Sequence, residues 1–546
     1  MAFQADAVFE NGTFHTLASE GATVSAIAVL HGRIIAVDAD ATALEAKQRH
    51  DLGGAVAVPG FHDAHQHLTG RGKALNSLDL VDPGIDSLQK LYDAVEQFVL
   101  DHPEKTVIIG RGYDQFRFGE VHPDRESLDK VAAGKPVYLE HVSGHMGVVN
   151  TAAFEACGYT DMTAVPDVDG GYVDRDEHGA VTGLLQEKAK DLVRKVAKFQ
   201  DVAEIEDNIA AAAALALSQG TTMITEPGLG AINGIGSSEV DFAAYQNALE
   251  HGRLGLRAVL MPYLTTLHPY TETGEGRRGL DLGIRTGFGN EFLRMGPVKV
   301  LTDGSLLGRS SAMHDCFHGH DQAGFMLWDV AELEAMLTEV YAAGYALSLH
   351  AIGDRAVDHA MDILEKVQNG SDRTAHRNRI EHYGVSTLEQ VQRAADLGIT
   401  PVPQGSFVSI LGDNMMDALG PERSAGCYRM KAHLNAGNVL PGSSDCPVAD
   451  GRPLLGIHDM VNRLTSTGVP CAPEEALTPY EAFRAYSYGS AYAAGIEDEF
   501  GTLEVGKFAD FAVLSEDPFA IDPSGISAID VTTTVVGGEV KYSIAG

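Results

Sequence analysis

The sequence predicts an α/β protein built on a closed parallel (β/α)8 barrel of the TIM type. Strand-like and helix-like segments alternate from about residue 202 to residue 495, strand-like segments lie at both chain ends, and a long irregular stretch follows the first barrel strand. Such alternation is typical of parallel barrels. We therefore expect the barrel at residues 59–495, a small β-sandwich domain formed from residues 1–58 and 496–546, and an inserted subdomain at about residues 70–200.

The composition is that of an ordinary globular protein with an acidic surface. Of the 546 residues, 44% are hydrophobic and 21% are charged, and the net charge is −36. So negative a chain lacks the basic face that nucleic-acid binding requires, and we expect no nucleic-acid partner. No apolar run reaches the length of a membrane span, the amino terminus lacks the features of a signal peptide, and the five scattered cysteines suggest no disulfide framework. We therefore expect no membrane partner and a cytoplasmic location.

Short strands are predicted at both ends of the chain. They lie at residues 7–9, 25–30 and 33–37 near the amino terminus and at residues 509–514 and 531–536 near the carboxyl terminus. The dipeptides Asn11-Gly12 and His31-Gly32 predict hairpin turns between the first of these strands. Two half-sheets from opposite chain ends can join into one small domain.

The stretch from about residue 70 to residue 200 is too long for a single barrel loop. It contains a predicted helix at residues 87–100 and predicted strands at residues 106–109 and 136–139. We expect this subdomain to lie over the mouth of the barrel. His145 within it is either a residue that reaches the substrate or a structural histidine on a loop, and the sequence leaves both interpretations open.

Eight barrel strands are predicted along the chain. They are the apolar run at 55–58 that leads to His65, and then residues 221–225, 256–261, 297–301, 345–350, 379–382, 399–404 and 438–440. Asp329, Ser386 and Thr478 each stand three residues before a glutamate, which is the spacing of a capping box and predicts a helix start.

The sequence His65-Gln66-His67 follows the first predicted strand. On a continuing strand, side chains two positions apart point the same way, so the two imidazoles would lie together. Neighbouring imidazoles bind transition metals such as zinc. Alone, this pattern is a weak signal, because polar residues at a barrel rim are common. Its weight comes from further candidate ligands at the ends of other predicted strands.

Four more candidate ligands lie at such strand ends: Lys299, His350, His382 and Asp445. Active sites of parallel barrels lie at the C-terminal ends of the strands. Histidine and carboxylate ligands suit zinc and similar ions. Lys299 lies in an apolar strand and is either a salt-bridged lysine or a neutral amine that takes up carbon dioxide. The resulting carbamate has two oxygens and could bridge two metals.

The chain resembles the amidohydrolase superfamily, and more closely the large amidohydrolases that include N-substituted formamide deformylase. The motifs that carry the resemblance span nearly the whole chain. They lie at residues 59–67, 144–145, 150–154, 298–300, 303–305, 350–356, 379–382, 442–445 and 501–510. One such motif would be weak evidence, but the complete set in this order is specific.

The resemblance implies a centre of one or two divalent metal ions per chain, zinc being the expected metal. The implied ligands are His65, His67 and Asp445 for one ion, His350 and His382 for the other, and carboxylated Lys299 as a bridge together with a hydroxide. The implied reaction is attack of the hydroxide on a small, linear N-substituted amide, with cleavage of its C–N bond. Asp445 would carry the proton to the leaving nitrogen. A homodimer is also expected by analogy with the family.

Other activities fit the same residues. A hydrolase of a cyclic amide or of an ester would use the same site, and a protein that kept the metals without turnover would be a metal-binding regulatory protein. Relatives that deaminate heterocycles usually carry His-x-x-Glu after the fifth strand. Here Gly353 stands three residues after His350, which counts against deamination.

Three further residues are candidates for substrate binding. Arg355 lies at the start of the helix after the His350 strand and either meets an anionic group or serves as a structural ion-pair partner. Asp303 and Arg309 follow the Lys299 strand and either shape the pocket or support the fold.

Overall fold

The structure is a computed structural model that describes residues 4–142, 145–197, 201–230, 238–270, 276–370 and 377–544. The chain divides into two compact units. The main unit comprises Met1–Gly70 and Ile209–Gly546, and the inserted unit comprises Arg71–Asn208. Within the described ranges, every helix is too short or too polar to cross a membrane. The cytoplasmic location and the homodimer stay predictions.

Two four-stranded parallel sheets carry most of the predicted barrel strands. In spatial order, the first sheet consists of Leu293–Met295, Arg257–Pro262, Thr221–Leu229 and Phe61–Asp63, and the second of Val298–Leu301, Leu347–Ala351, Arg379–His382 and Thr400–Val402. A parallel bridge between Tyr263 and Lys299 connects the two sheets. The strands are buried almost throughout, as expected for parallel strands that are covered on both faces. Leu293–Met295 was not among the predicted strands.

The run predicted as the first barrel strand belongs to a different sheet, so its placement in the barrel is wrong. Val56–Pro59 pairs with Phe511–Leu514 and with Thr13–His15. The chain crosses from that sheet to the parallel sheet at Gly60, where a Cβ atom would lie 2.3 Å from the side chain of Thr222. Only glycine fits at this crossing without a shift of Thr222, and the next strand begins at Phe61 in the parallel sheet.

The parallel sheet begins instead with Phe61–Asp63. His65 and His67 follow the end of this strand, so strand alternation does not align them. Backbone hydrogen bonds fix them: His67 N donates to Cys446 O at 2.8 Å, and His65 O accepts from Asp445 N at 2.7 Å.

The last predicted strand, residues 438–440, is not a strand either. The chain shortly after it is held by single backbone hydrogen bonds on both sides. These run from Ala64 N to Gly442 O at 3.0 Å, from Asp445 N to His65 O at 2.7 Å, and from Gly405 N to Ser443 O at 3.2 Å. Such isolated bonds do not make a regular ladder, yet they connect the segments that follow Phe61–Asp63 and Thr400–Val402.

Strands from both chain ends share one six-stranded sheet. In order, its strands are Glu539–Ser543, Val531–Val536, Phe511–Leu514, Val56–Pro59, Thr13–His15 and Thr23–Val24. A second sheet consists of Arg33–Val37, Ile27–Leu30, Ala5–Glu10 and Ala46–Asp51. The hairpin at His31-Gly32 is confirmed, and both residues adopt positive φ. The hairpin at Asn11-Gly12 is wrong, because the strands on either side of it lie in different sheets.

The described α-helices of five or more residues in or adjoining the main unit are Asp38–Thr42, Leu68–Leu75, Val202–Ser218, Asp241–Glu250, Val330–Ala342, Asp354–Asn369, Leu388–Asp396, Phe407–Leu419, Met430–Asn435, Pro453–Asn462 and Pro479–Arg484. Asp329 caps its helix as predicted, and Thr478 and Glu481 form the predicted capping box. The other predicted box is shifted by one residue, to Thr387 and Gln390.

The inserted unit contains a six-stranded mixed sheet. Its strands, in order, are Gly171–Arg175, Val181–Glu187, Met146–Val149, Val137–His141, Ile108–Tyr113 and Leu78–Asp79, and its helices include Leu88–Asp101, Arg125–Val131 and Thr151–Ala156. The predicted strands at 106–109 and 136–139 correspond to Ile108–Tyr113 and Val137–His141. Its expected position over the barrel mouth stays a prediction.

Candidate active site

A cavity of 380 Å³ lies in the main unit at the carboxyl ends of the parallel strands. All six residues proposed from sequence as metal ligands line it: His65, His67, Lys299, His350, His382 and Asp445. They come from segments far apart in the chain. The fold therefore brings together in one place the side chains that the sequence placed at separate strand ends.

His65, His67 and Asp445 form the tightest cluster in this cavity. One ligand atom from each lies within 4.8 Å of the others. Asp445 Oδ1 is 3.2 Å from His65 Nε2 and 3.3 Å from His67 Nε2. All three side chains are buried, and burying several polar groups together is costly unless they are paired or bind an ion.

A buried carboxylate lies behind His65. Glu381 contacts His65 Nδ1 and also accepts hydrogen bonds from Ser348 Oγ at 2.7 Å and from Arg379 Nη2 at 2.9 Å. Burial raises the pKa of Glu381, but the charge of Arg379 and the contact with His65 outweigh it and hold that pKa well below its usual range. An ionised Glu381 keeps the proton of His65 on Nδ1, which leaves the lone pair of Nε2 toward Asp445.

His67 has a carboxylate on each side. Asp445 meets its Nε2, and Glu226 Oε1 lies 3.5 Å from its Nδ1. Burial lowers the pKa of His67, yet hydrogen bonding to the two carboxylates raises it to about 9. Glu226 is itself held by Thr69 N at 3.1 Å and by Tyr245 Oη at 2.7 Å. The two negative charges that favour an extra proton on His67 would also favour a metal cation beside it.

His350 and His382 lie side by side, with ring centroids 4.5 Å apart. His350 Nδ1 is 2.8 Å from Asp303 Oδ1, and His382 Nδ1 is 2.7 Å from Gln404 Oε1. Each acceptor fixes the proton on Nδ1 and leaves Nε2 as the atom able to bind a metal. Burial and the neighbouring His350 hold the pKa of His382 well below its usual range, so its ring is neutral, as a metal ligand must be.

Lys299 is almost fully buried and lines the same cavity. Burial lowers its pKa to about 8, against the opposing charges of Glu381 and Asp445. A lysine with such a pKa spends part of its time as a neutral amine at physiological pH, which an exposed lysine does not.

Asp63 ties together the two segments that carry His65 and Asp445. Its carboxylate accepts hydrogen bonds from the backbone N–H groups of His65 and Ser444, each at 3.1 Å, and from the Ser444 hydroxyl. Asp445 itself has a left-handed backbone with φ of 58°. Because this conformation is costly outside glycine, the surrounding hydrogen bonds must hold it, and the side chain is fixed toward the histidines.

One wall of the cavity is apolar. Phe407, Leu411 and Met415 lie four residues apart on the helix Phe407–Leu419 and therefore share one face, and all three line the cavity. Further lining residues are Leu306, Leu307, Ile352 and Val448. Lys299 is the only lysine or arginine among the described lining residues. Such a cavity suits an uncharged molecule with an apolar part.

The three candidate substrate-binding residues of the main unit do not line the described cavity. Asp303 lies behind His350 and accepts the backbone N–H groups of Ala312 at 3.0 Å and Gly353 at 2.9 Å. Arg309 pairs with Asp417 at 3.2 Å, and Arg355 Nη2 donates to Gly324 O at 3.2 Å.

His145 belongs to the inserted unit, where it is exposed and lies 3.0 Å from Glu187. Ser143 and Gly144, which precede it in the predicted motif, lie outside the described residues. A role of His145 in substrate binding stays a prediction.

Sequence reasoning missed the groups that support the histidines: Glu381, Glu226 and Gln404. A charged residue within the fully buried strand Arg379–His382 was a signal for Glu381. Glu226 follows directly after the predicted strand 221–225, and the observed strand runs on through it to Leu229. No local signal in the sequence pointed to Gln404.

Fold and site together define a hydrolase-type centre built at the ends of parallel strands. Residues 48–542 match the Amidohydrolase family, so the chain belongs to this family. The resemblance seen in the sequence is thereby confirmed.

Similar proteins cover nearly the whole chain. YtcJ of Bacillus subtilis (strain 168), which its name assigns to the amidohydrolases, is 29% identical over 98% of this chain and 99% of its own. N-substituted formamide deformylase of Arthrobacter pascens is 28% identical over 99% of each chain. A solved structure of an uncharacterized metal-dependent hydrolase from Pyrococcus horikoshii OT3 matches with a TM-score of 0.77 at 25% identity, over 95% of this chain and 99% of that one.

Proposed function

We propose that this protein is a metal-dependent amidohydrolase that cleaves the C–N bond of a small, uncharged, linear N-substituted amide. The observation that carries the proposal is the convergence of four imidazoles, Asp445 and Lys299 on one cavity with an apolar wall. The names of the similar proteins support the metal dependence and the amide substrate. We also propose that the two parallel sheets and the segment around Gly442 form the closed barrel predicted from sequence.

The donor groups fit a divalent metal such as zinc. Three ligand atoms lie within 4.8 Å of one another. The buried His65 Nε2 lies 3.2 Å from Asp445 Oδ1 but makes no hydrogen bond to any described residue, so it is free to bind an ion. The residues that would hold the metal are His65, His67 and Asp445 for one ion, His350 and His382 for a second, and carboxylated Lys299 for both. A bound divalent metal polarises a carbonyl and lowers the pKa of water to about 7.

Lys299 is suited to carboxylation because carbon dioxide reacts only with a neutral amine. With a pKa of about 8, about a quarter of the side chains are neutral at pH 7.5, against about one in a thousand at an ordinary lysine pKa. The carbamate would supply two oxygen ligands in the cavity that the four histidines line. Its negative charge would also offset the positive charge that the metals bring into a buried site.

Asp445 is the group that moves the proton. Burial raises the pKa of Asp445, but the histidines beside it outweigh burial and hold that pKa well below its usual range, so the carboxylate is ionised and able to accept. It takes a proton as the water oxygen bonds to the amide carbon, and it passes this proton to the nitrogen as the C–N bond breaks. The products are a carboxylic acid and an amine. The apolar wall formed by Phe407, Leu411 and Met415 positions the substrate and excludes other water.

The test is metal content together with hydrolysis. Wild type and Lys299→Ala are analysed for bound metal after reconstitution with zinc and bicarbonate, and wild type is assayed on matched linear amides, lactams and esters with and without a chelator. We expect about two ions per wild-type chain, fewer in the variant, and chelator-sensitive hydrolysis of linear amides.

Several outcomes would change the proposal. Preference for lactams or esters would move the substrate class while keeping the mechanism. Bound metal without turnover of any of these substrates would favour a metal-binding regulatory protein. A wild-type protein that binds no metal after reconstitution would overturn the mechanism.

A further inference from the structure

Two tyrosines line the cavity with hydroxyl groups that make no hydrogen bond to any described residue. They are Tyr263, with 6% of its surface exposed, and Tyr428, with 2% exposed. Phenol hydroxyls this deeply buried normally find a partner, and one that faces a cavity can find it in a bound molecule. Each of the four histidines has a described side-chain partner, whereas the two phenol hydroxyls have none among the described residues.

Tyr263 is fixed beside Lys299. It follows the strand Arg257–Pro262, and its backbone forms the parallel bridge to Lys299 that connects the two sheets. Its N–H donates to Leu229 O at 3.1 Å, and its carbonyl accepts from Thr266 N at 3.0 Å and Thr266 Oγ1 at 2.7 Å. A residue held on both backbone sides carries a side chain of well-defined direction, which a donor in catalysis requires.

The ring of Tyr263 lies over the backbone of Gly228. A Cβ atom at position 228 would lie 2.2 Å from Cε2, 2.3 Å from Cζ and 2.6 Å from the hydroxyl oxygen. All three distances are too short for any side chain, so the observed place of the phenol requires glycine at 228. The hydroxyl end of the Tyr263 ring therefore lies against Gly228 in the strand Thr221–Leu229.

The phenol of Tyr263 is a neutral donor. Burial, together with the negative charges of Glu226 and Asp445, raises its pKa above the ordinary tyrosine range. The phenol therefore keeps its proton at physiological pH, as an ordinary tyrosine also does, and it can donate a hydrogen bond without losing that proton.

We propose that Tyr263 is a catalytic residue whose hydroxyl donates a hydrogen bond to the carbonyl oxygen of the bound amide. This inference rests on the proposed function. As water adds to the amide carbon, the electron pair of the C=O double bond moves to the oxygen, and a donor fixed in advance stabilises that charge. The hydroxyl bond of Tyr263 stays intact throughout, and the pair returns to carbon when the C–N bond breaks.

Tyr428 serves as the comparison. The centroid of its ring lies 5.8 Å from that of Phe407, which belongs to the apolar wall. Unlike Tyr263, Tyr428 forms no β-bridge with Lys299 among the described residues. We therefore expect Tyr428 to meet the apolar part of the substrate, where loss of the hydroxyl has less effect on the chemical step.

The experiment measures Tyr263→Phe and Tyr428→Phe on the linear amide that wild type hydrolyses best. For Tyr263→Phe we expect kcat to fall about 100-fold with KM changed less than threefold, because the donor acts mainly on the transition state. Tyr428→Phe should lower kcat by no more than a tenth of that factor. Binding of a tetrahedral phosphonate analogue, measured by calorimetry, should weaken about 100-fold in Tyr263→Phe, with bound metal unchanged.

Gly228→Ala provides a second route to the same test. It keeps the hydroxyl but pushes the ring away, so it should reproduce most of the loss in kcat. Combined with Tyr263→Phe, it should add little, because the hydroxyl is already absent. Metal content and thermal unfolding of each variant separate this effect from misfolding.

The outcomes distinguish the two proposals. Wild-type hydrolysis with unchanged kcat and phosphonate binding in Tyr263→Phe overturns this inference alone. A larger loss in Tyr428→Phe overturns the assignment to Tyr263. Absence of amide hydrolysis in metal-loaded wild type overturns the proposed function, and this inference with it.

Discussion

The two histidine pairs of the cavity differ in what lies between their rings. Asp445 contacts both His65 and His67, whereas among the described residues no carboxylate is paired with both His350 and His382. The first pair thus has three donors of its own. The second pair has only its two imidazole donors. A third donor must come from another residue, and Lys299 lines the same cavity.

The proposed centre thus has two halves, His65 and His67 with Asp445, and His350 and His382, and the two halves depend on different parts of the chain. The first half is complete once the segments around His65 and Asp445 are joined, which Asp63 does through hydrogen bonds to both. Under the proposed function, the second half also requires carboxylation of Lys299, for which the carbon dioxide comes from outside the chain. We expect the first half to bind metal more tightly, and the following predictions test that asymmetry.

The largest effect is expected for Asp445→Asn. The amide keeps the shape of the side chain but removes both the charge shared by His65 and His67 and the proton acceptor. We expect kcat to fall by about 10³-fold or more. Metal content should fall toward one ion, because the complete half loses a donor. Asp303→Asn is the matched control, because among the four histidines Asp303 pairs with His350 alone in the described contacts. A retained kcat above one tenth of wild type in Asp445→Asn would exclude the proton-transfer role.

The burial of Lys299 should make the free energy of unfolding depend on pH. In metal-free protein without bicarbonate, its folded pKa of about 8 lies below the unfolded value of 10.5. The unfolded chain therefore holds more protons between these two values, and the free energy of unfolding rises with pH across this window, by about 3 kcal/mol in total. Urea unfolding of wild type and Lys299→Met over this pH range measures the contribution of Lys299 as the difference between the free energies of unfolding of the two proteins. Parallel curves from pH 8 to 10.5 would show that the folded lysine titrates normally.

Glu381→Gln tests how strongly metal binding by the first histidine pair depends on the carboxylate behind His65. The charge that holds the proton of His65 on Nδ1 is lost, and Arg379 keeps no ionised partner on its strand. We expect metal affinity to fall 10- to 100-fold, a typical effect for a group that orients a metal ligand. Competition with a fluorescent chelator measures the affinity.

Gln404→Leu is the corresponding change at the second pair. It removes a neutral acceptor of His382 rather than a charged one. We expect a loss of affinity below tenfold, because a neutral hydrogen bond contributes about half as much as a charge-assisted one. Equal losses in this variant and in Glu381→Gln would contradict the proposed difference between the halves.

The smallest effect is expected for Arg309→Ala. The guanidinium pairs with Asp417 and does not line the described cavity. KM for the best amide should therefore change less than twofold. A tenfold rise in KM would instead support the substrate-binding role that the sequence suggested for Arg309.

The family, the alternation of strands and helices, and six of the side chains that line the cavity could be predicted from sequence. Residues 48–542 match the family, and the predicted strands at 221–225, 256–261, 297–301, 345–350, 379–382 and 399–404 all have counterparts in the two parallel sheets. These predictions rest on residue type and on short-range periodicity, which a sequence displays directly. The first and last strands were wrong because crowding at Gly60 and isolated hydrogen bonds around Gly442 depend on distant segments.

Residue types alone specify which groups could bind metal, because the chemistry of an imidazole, a carboxylate or an amine belongs to the side chain itself. The packing of distant segments sets which acceptor lies behind each histidine and which phenols line the cavity. Glu381 meets His65 across 316 positions of the chain, and Glu226 meets Thr69 across 157. Contacts between residues so far apart follow from how the sheets pack, and no local pattern of residues encodes them.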